Sequence, residues 1–336
     1  MIKKFFKNHS IHKKIVPSFD YVFLFRPTLF FAVWVMICIG MYLAHLEFDT
    51  YPQWISTINT KTVFLFISLT FLTGATFITN QLADIDSDLE NKKLFIIDNI
   101  INRENAKKAY QISLLIGFIL IIFTNFYNAL IGLFIFLIWD VLYNNEKFKL
   151  RNNPILGPVC NLSVGILLIL SGWLIVIAEN NYFFSVFDTL SFNFIIKILS
   201  YGICFLSVVL LTDIPDKIGD EKFGKKSFSI IFGRMTTNIV AFILVLISFC
   251  LGIYLNDPLL SISTICSIPF FLYAIIRNKD KDVLRAIRYP IFILNFFAST
   301  IYPYLFLITL IIFYISKYYY WHRFNLHYPT FLVNND

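Results

Sequence analysis

The sequence predicts an all-α integral membrane protein with nine transmembrane helices, and three observations carry that prediction. Hydrophobic residues make up 58% of the 336 positions and charged residues only 15%, whereas soluble domains carry about a quarter charged residues. The apolar residues fall into nine long runs, near the length of about 20 residues that a spanning helix needs. The basic residues fall between alternate runs, which fixes an orientation. The 39 Phe and 18 Tyr then belong to lipid and helix–helix contacts, and their abundance is no evidence for a ligand box.

Taken in order, residues 1–20 form a basic leader. "MIKKFFKNHSIHKK" has no apolar core ahead of a small-residue cleavage site, so it is a cytoplasmic leader or amphipathic surface segment and not a cleaved signal. The spans follow at 24–45, 63–82, 110–127, 129–143, 155–178, 192–212, 237–254, 258–276 and 288–316. The ninth is long and contains Pro303, which can break it. Residues 21–320 make the membrane domain and 321–336 a C-terminal tail. With the N-terminus inside, the leader and the loops after spans 2, 4, 6 and 8 hold every Lys and Arg except Lys61, Lys197, Lys317 and Arg323. This predicts an N-in/C-out chain. The excess of 28 Lys and Arg over 21 Asp and Glu is topological and does not call for nucleic acid. Cys38, Cys160, Cys204, Cys250 and Cys266 sit in apolar runs without CxxC or metal-ligand spacing, as small buried residues do.

Two acidic stretches interrupt this pattern, both at cytoplasmic helix ends. After the second span comes "TNQLADIDSDLENKK" at 79–93, and after the sixth "LLTDIPDKIGDEKFGKKS" at 210–227. Asn80, Asp84 and Asp88 are spaced i, i+4, i+8 and stack on one helix face, with Asp86 rotated away. Asp213, Asp216 and Asp220 are spaced i, i+3, i+7, again on one face, and Pro215 and Gly219 make that helix end irregular. The corresponding places of the two clusters suggest a weak internal repeat. Stacked carboxylates need a counter-charge. Lys92, Lys93, Lys222, Lys225 and Lys226 can supply it as salt bridges. Alternatively, Mg²⁺ can bind one or two carboxylates and complete its shell with water and phosphate oxygens. A third loop, "DVLYNNEKFKLRNNPILG", offers Tyr143, Lys147, Lys149 and Arg151 to a phosphate or an anionic acceptor. Arg26 opens the first span on the same side, either at the site or as a snorkelling arginine.

NxxxDxxxD (Asn80, Asp84, Asp88), YxxxK (Tyr143, Lys147) and DxxxD (Asp216, Asp220), in that order at helix ends, resemble the UbiA superfamily of intramembrane prenyltransferases. "RPT" at 26–28, "NK" at 91–92 and "GDEKFGKKSFSIIFG" at 219–233 extend the likeness over roughly residues 20–320. The resemblance implies nine helices around a central cavity under a cytoplasmic cap of motif loops. It also implies transfer of a polyprenyl group from a polyprenyl diphosphate to a small acceptor of aromatic type, through an allylic carbocation. Asn80, Asp84 and Asp88 would hold one Mg²⁺ and Asp216 and Asp220 another, with Asp213 as an additional member. Lys147 and Lys149 compete to contact the diphosphate, and Lys92 and Arg26 are further phosphate contacts. An apolar cavity would shield the cation from water.

The sequence departs from the family pattern at Gln81, where many members have Asp. It departs again at "LFIIDNIINREN", which replaces a Leu-Pro…Gly segment, and at "YNNEKFK", which lacks a proline pair. "NQLADIDSD" with "DIPDKIGDEKFGKKS" is most similar to the homogentisate branch. Branches using 4-hydroxybenzoate, dihydroxynaphthoate or a glycerol-phosphate ether share the motifs, as do UbiA-type terpene cyclases. An ion-coupled transporter would carry its acids near the midplane on broken helices, not at helix ends among lysines. A phosphatidyltransferase would show a DGxxAR run, which is missing. The bacterial inner membrane is the expected host.

Overall fold

The structure is a computed structural model that describes residues 9–47, 58–91, 93, 96–179 and 192–330. After two short leader helices, Ser10–Ile15 and Asp20–Leu24, the long helices begin. They are α1 (Phe30–Glu47), α2 (Thr60–Ala83), with the short α3 (Ile85–Glu90) after it, and α4 (Arg103–Ile122). Next comes α5 (Phe126–Phe136), which continues as a π-type helix over Leu137–Asn144, and then α6 (Leu156–Glu179) and α7 (Phe192–Thr212). The short α8 (Lys217–Lys222) precedes α9 (Arg234–Tyr254), α10 (Pro258–Arg277), α11 (Asp280–Ile301) and α12 (Pro303–Phe324). Side-chain oxygens of Asn59, Asn102, Asn125 and Asp257 cap α2, α4, α5 and α10, each accepting an amide that has no partner within its helix.

Helices α1 and α6 form the buried centre, and α4, α5 and α12 lie at the periphery. The central pair touches backbone to backbone. A Cβ on Gly40 would fall 1.8 Å from the Ile169 carbonyl oxygen, and one on Gly172 would fall 1.9 Å from that of Ile37. Only glycine permits this approach, which is how helices associate where lipid removes the hydrophobic drive between them. Trp34, Ile37, Ile169 and Trp173 fill the space around the crossing.

Nine helices among the described residues are long and apolar enough to cross a membrane. The ninth expected span, 288–316, is not one helix. It divides at Tyr302–Pro303 into α11 and α12, each 22 residues long. Pro303 lacks the amide needed to continue α11. The charged Asp280, Lys281, Asp282, Arg285 and Arg288 keep α11 off the apolar count, although it matches its neighbours in length. The chain reverses at this break, which bears on the expected placement of the two chain ends on opposite faces. Tyr319 donates to Asp20 at 2.7 Å, Arg323 donates to Asp20 at 3.0 Å, and His12 stacks on His322. The leader and the end of α12 therefore share one face, the face that carries both acidic motifs. Beneath it, Val16, Phe23, Leu24, Ile96, Ile97, Ile101 and Tyr319 form a second apolar cluster. This is where part of the divergent "LFIIDNIINREN" segment goes: its isoleucines pack under the leader.

Candidate active site

The first acidic motif lies across a break. Asp84 (φ −110°, ψ 11°) ends α2, and α3 resumes at Ile85. The Asp84 amide still donates to the Asn80 carbonyl at 3.1 Å and the Asp88 amide to that of Asp84 at 2.8 Å, so the i, i+4 ladder survives. Asp84 and Asp88 are buried and Asp86 is exposed. In the second motif, Pro215 stops α7 from continuing and Asp216 starts α8. The Asp216 carboxylate makes no capping bond, which leaves it to face the first motif.

The short helices α3 and α8 pack together. The Gly219 amide donates to Asn91 Oδ1 at 2.7 Å, and Asn91 Nδ2 donates to the Asp216 carbonyl at 3.0 Å. A Cβ on Gly219 would lie 2.3 Å from the Ser87 carbonyl oxygen, so this contact requires glycine. Lys222 pairs with Glu90 at 2.6 Å on the outside.

Docking the helices sets the carboxylates in two pairs, each with an ammonium between its members. Lys225 Nζ lies 2.8 Å from Asp84 and 2.9 Å from Asp220. Lys93 Nζ lies 2.9 Å from Asp88 and 2.8 Å from Asp216. Arg151 donates to Asp84 at 2.8 Å and to the Ala83 carbonyl at 3.1 Å, and Arg26 donates to Asp88 at 3.3 Å. Arg26 holds φ 51° ahead of Pro27, a strained backbone for a residue of this type. Burial lowers the Lys93 and Lys225 ammonium pKa, but the flanking carboxylates outweigh it and both end above the ordinary lysine value. Burial raises Asp220 despite Lys225. Asp213 is pushed up to about 7 by burial first and then by the charges of Asp220 and Asp216.

Of the residues expected from sequence, Asp84, Asp88, Asp216, Asp220 and Arg26 meet in this arrangement, with Asp213 beside it. Tyr143 lies near Asn161 and within electrostatic reach of Asp213, Asp84 and Arg151. Asn80 bonds to Asn144 at 3.3 Å. Lys147 is exposed and Lys149 half-buried, and neither pairs with a motif carboxylate; Arg151, from the same loop, does. Lys92 lies outside the described residues. Gln81 faces away from the carboxylates and donates to the Leu24 carbonyl at 2.7 Å, so it ties α2 to the leader. Sequence reasoning missed Asp140, an isolated acid in the apolar run "FLIWDVLYNN" (136–145); an ionisable residue at membrane depth is itself a signal. Further along α1 and α7, a small apolar hollow is lined by Ala32, Val35, Met36, Phe205 and Leu294.

Among the described residues no three His, Cys, Asp or Glu side chains converge into a ready-made metal cage. The carboxylates face one another across α3 and α8 as two hard-oxygen pairs, each already spanning a cation. That donor chemistry fits Mg²⁺.

The UbiA prenyltransferase family matches residues 33–301. No curated protein matches the chain. Among solved structures, a UbiA homologue from Archaeoglobus fulgidus bound to GPP and Mg²⁺ superposes with TM-score 0.63 at 16% identity, covering 87% of this chain and 99% of that one. The apo UbiA homologue from Aeropyrum pernix K1 gives TM-score 0.61 at 13% identity, covering 81% and 95%. A digeranylgeranylglyceryl phosphate synthase gives 0.56 at 19% identity, covering 85% and 97%. These likenesses establish the fold, and the sequence match over residues 33–301 establishes the family: the chain belongs to the UbiA prenyltransferase family.

Proposed function

We propose that this prenyltransferase moves a polyprenyl group from its diphosphate to a small aromatic acceptor, with Mg²⁺ at the two acidic motifs. The observation that carries the proposal is the pairing of Asp84 with Asp220 and of Asp88 with Asp216, each across one cation. Asp84, Asp88, Asp216 and Asp220, with the Asn80 amide oxygen, would hold the metal. When bound, the metal neutralises charge developing on a leaving diphosphate. Arg26, Arg151, Lys93 and Lys225 supply cations for the diphosphate oxygens, preorganised by their present carboxylate contacts. The apolar interior between the helices would take the first part of the prenyl chain and exclude water from its cation. The basic residues around the motif face support its assignment to the cytoplasm, and the bacterial inner membrane is the proposed host.

The similarity of "NQLADIDSD" and "DIPDKIGDEKFGKKS" to the homogentisate branch supports an acceptor of that type. A glycerol-phosphate ether is the second reading, favoured by the likeness of fold to digeranylgeranylglyceryl phosphate synthase. Purified protein given labelled prenyl diphosphates, Mg²⁺ and a panel of both acceptor types tests the proposal. The expected result is diphosphate release coupled to one acceptor, abolished in Asp84→Ala and Asp216→Ala. Release without any acceptor would point to cyclisation, and no release from any donor would overturn the proposal.

A further inference from the structure

A line of hydrogen bonds runs from the first acidic motif into the bundle and ends on Asp140. The Asp140 carboxylate accepts from the Tyr110 hydroxyl at 2.5 Å and from the Thr79 hydroxyl at 2.7 Å. Thr79 has one proton, which it gives to Asp140 or to the Thr76 carbonyl at 3.0 Å. Toward Asn144 its oxygen is therefore an acceptor. Asn144 Nδ2 donates to that oxygen at 3.2 Å and to the Thr76 carbonyl at 3.3 Å. With its amino group committed to α2, Asn144 presents Oδ1 to Asn80, whose Nδ2 donates to it at 3.3 Å. Every donor points toward Asp140, and the Asn80 amide oxygen is left facing away from the line.

That polarity matters because an amide can turn over with almost no change of shape. Only its oxygen ligates a hard cation; turned the other way, Asn80 would present an NH₂ group. The Asp140 carboxylate and the Thr76 carbonyl, which only accept, together fix the direction of the line. The π-type winding of Leu137–Asn144 brings both Asp140 and Asn144 against α2, and such windings cluster at functional sites.

We infer that Asp140 is a positioning residue: acting through Thr79 and Asn144, it locks the Asn80 amide with its oxygen turned toward the motif carboxylates. The inference rests on the proposal that these carboxylates bind a divalent cation. Asp140→Asn introduces a donor at one fixed end of the line and leaves only the 3.3 Å bond to the Thr76 carbonyl to oppose its reversal. The test is Mn²⁺ binding, read as free Mn²⁺ by electron paramagnetic resonance, on full-length protein in detergent with inorganic diphosphate. Asp140→Asn and Thr79→Val are each expected to weaken Mn²⁺ binding by about tenfold, the usual effect of losing a partner behind a metal ligand. Tyr110→Phe removes a donor from Asp140 but leaves the line to Asn80 intact, so its effect is expected within about twofold, well below that range. In an Asn80→Asp background, whose side chain has no wrong orientation, Asp140→Asn is expected to have no further effect. An equal loss in that background, or unchanged binding in both Asp140→Asn and Thr79→Val, would overturn the inference. If Asp140→Asn fails to fold, Thr79→Val against Tyr110→Phe decides alone. Wild-type protein that binds no Mn²⁺ would overturn the cation-binding proposal itself.

Discussion

The Gly219 amide donates to the Asn91 side chain across 2.7 Å, and this bond docks the second acidic helix against the first. It determines whether Lys93 and Lys225 can each reach two carboxylates, because those reaches cross from α3 to α8. A methyl group on Gly219 would sit 2.3 Å from the Ser87 carbonyl oxygen, which is backbone and cannot swing aside. Gly219→Ala is therefore expected to cost about 1–3 kcal/mol in stability, as overpacking does. Its effect on turnover should be larger, on the order of 100-fold, since a catalytic group displaced by about 1 Å has that effect. Thermal melting and steady-state turnover on the same preparation check this. A variant that melts lower but turns over normally would show that α3 and α8 need not dock so closely.

The third loop contributes Arg151 rather than the lysines nearer its tyrosine. The Arg151 side chain is only 8% exposed and donates to Asp84, whereas Lys147 faces out. Removing Arg151 leaves Asp84 to Lys225 alone and loses a charge-assisted hydrogen bond, worth about 1.5–3 kcal/mol. Arg151→Ala is thus expected to lose roughly 10- to 100-fold in turnover. Lys147→Ala should change it by about threefold or less, the scale of an exposed charge. Assays at saturating donor compare the two, and a larger loss in Lys147→Ala would reverse the assignment.

Much of this arrangement was legible in the sequence because two periodicities coincide there. Apolar runs of membrane length gave the helices, and i, i+4 and i, i+3 spacing put the carboxylates on shared faces. What stayed hidden depends on how helices meet. Nothing in the spacing says that Gln81 turns to the Leu24 carbonyl, or that Asn91 reaches Gly219. Asp140 was hidden because its role needs Tyr110 and Thr79 from two other helices. The break at Pro303 was legible in 288–316, but the full length of α11 was concealed by its charges, which hydropathy penalises although Arg277 and Arg285 pair with Asp282 in the folded chain.

The return of α12 to the motif face makes a topological prediction. Reporter tags placed at the two ends of the chain should respond to the same side of the membrane; opposite sides would contradict the Asp20–Tyr319 and Asp20–Arg323 bonds. Asp20→Ala is expected to lower stability by about 1–3 kcal/mol, because two donors lose a buried acceptor. Asp20→Asn, which keeps an acceptor, should lose less, as melting of the two variants would show.

Asp213 gives the site a pH dependence whose sign follows from its surroundings. Its carboxyl is pushed up to about 7, from an ordinary 3.8, by burial and then by Asp220 and Asp216, against the pull of Lys225 and the Phe228 amide. Between those values the folded chain holds a proton that the unfolded chain has released. Stability from this group is therefore complete below the ordinary carboxylate range and is lost as pH rises through the folded value. Asp220, also raised, adds in the same direction. The Lys93 and Lys225 shifts act only above the ordinary lysine range, so they leave this window untouched. Melting temperature without added metal, wild type minus Asp213→Asn, is thus expected to fall between about pH 4 and about pH 7, where the two states differ in bound protons. Asparagine keeps the shape and removes the titration. If the two melting profiles ran parallel across that window, Asp213 would not be holding a proton there, and the crowding of three carboxylates around α8 would have to be relieved by Lys225 and Lys93.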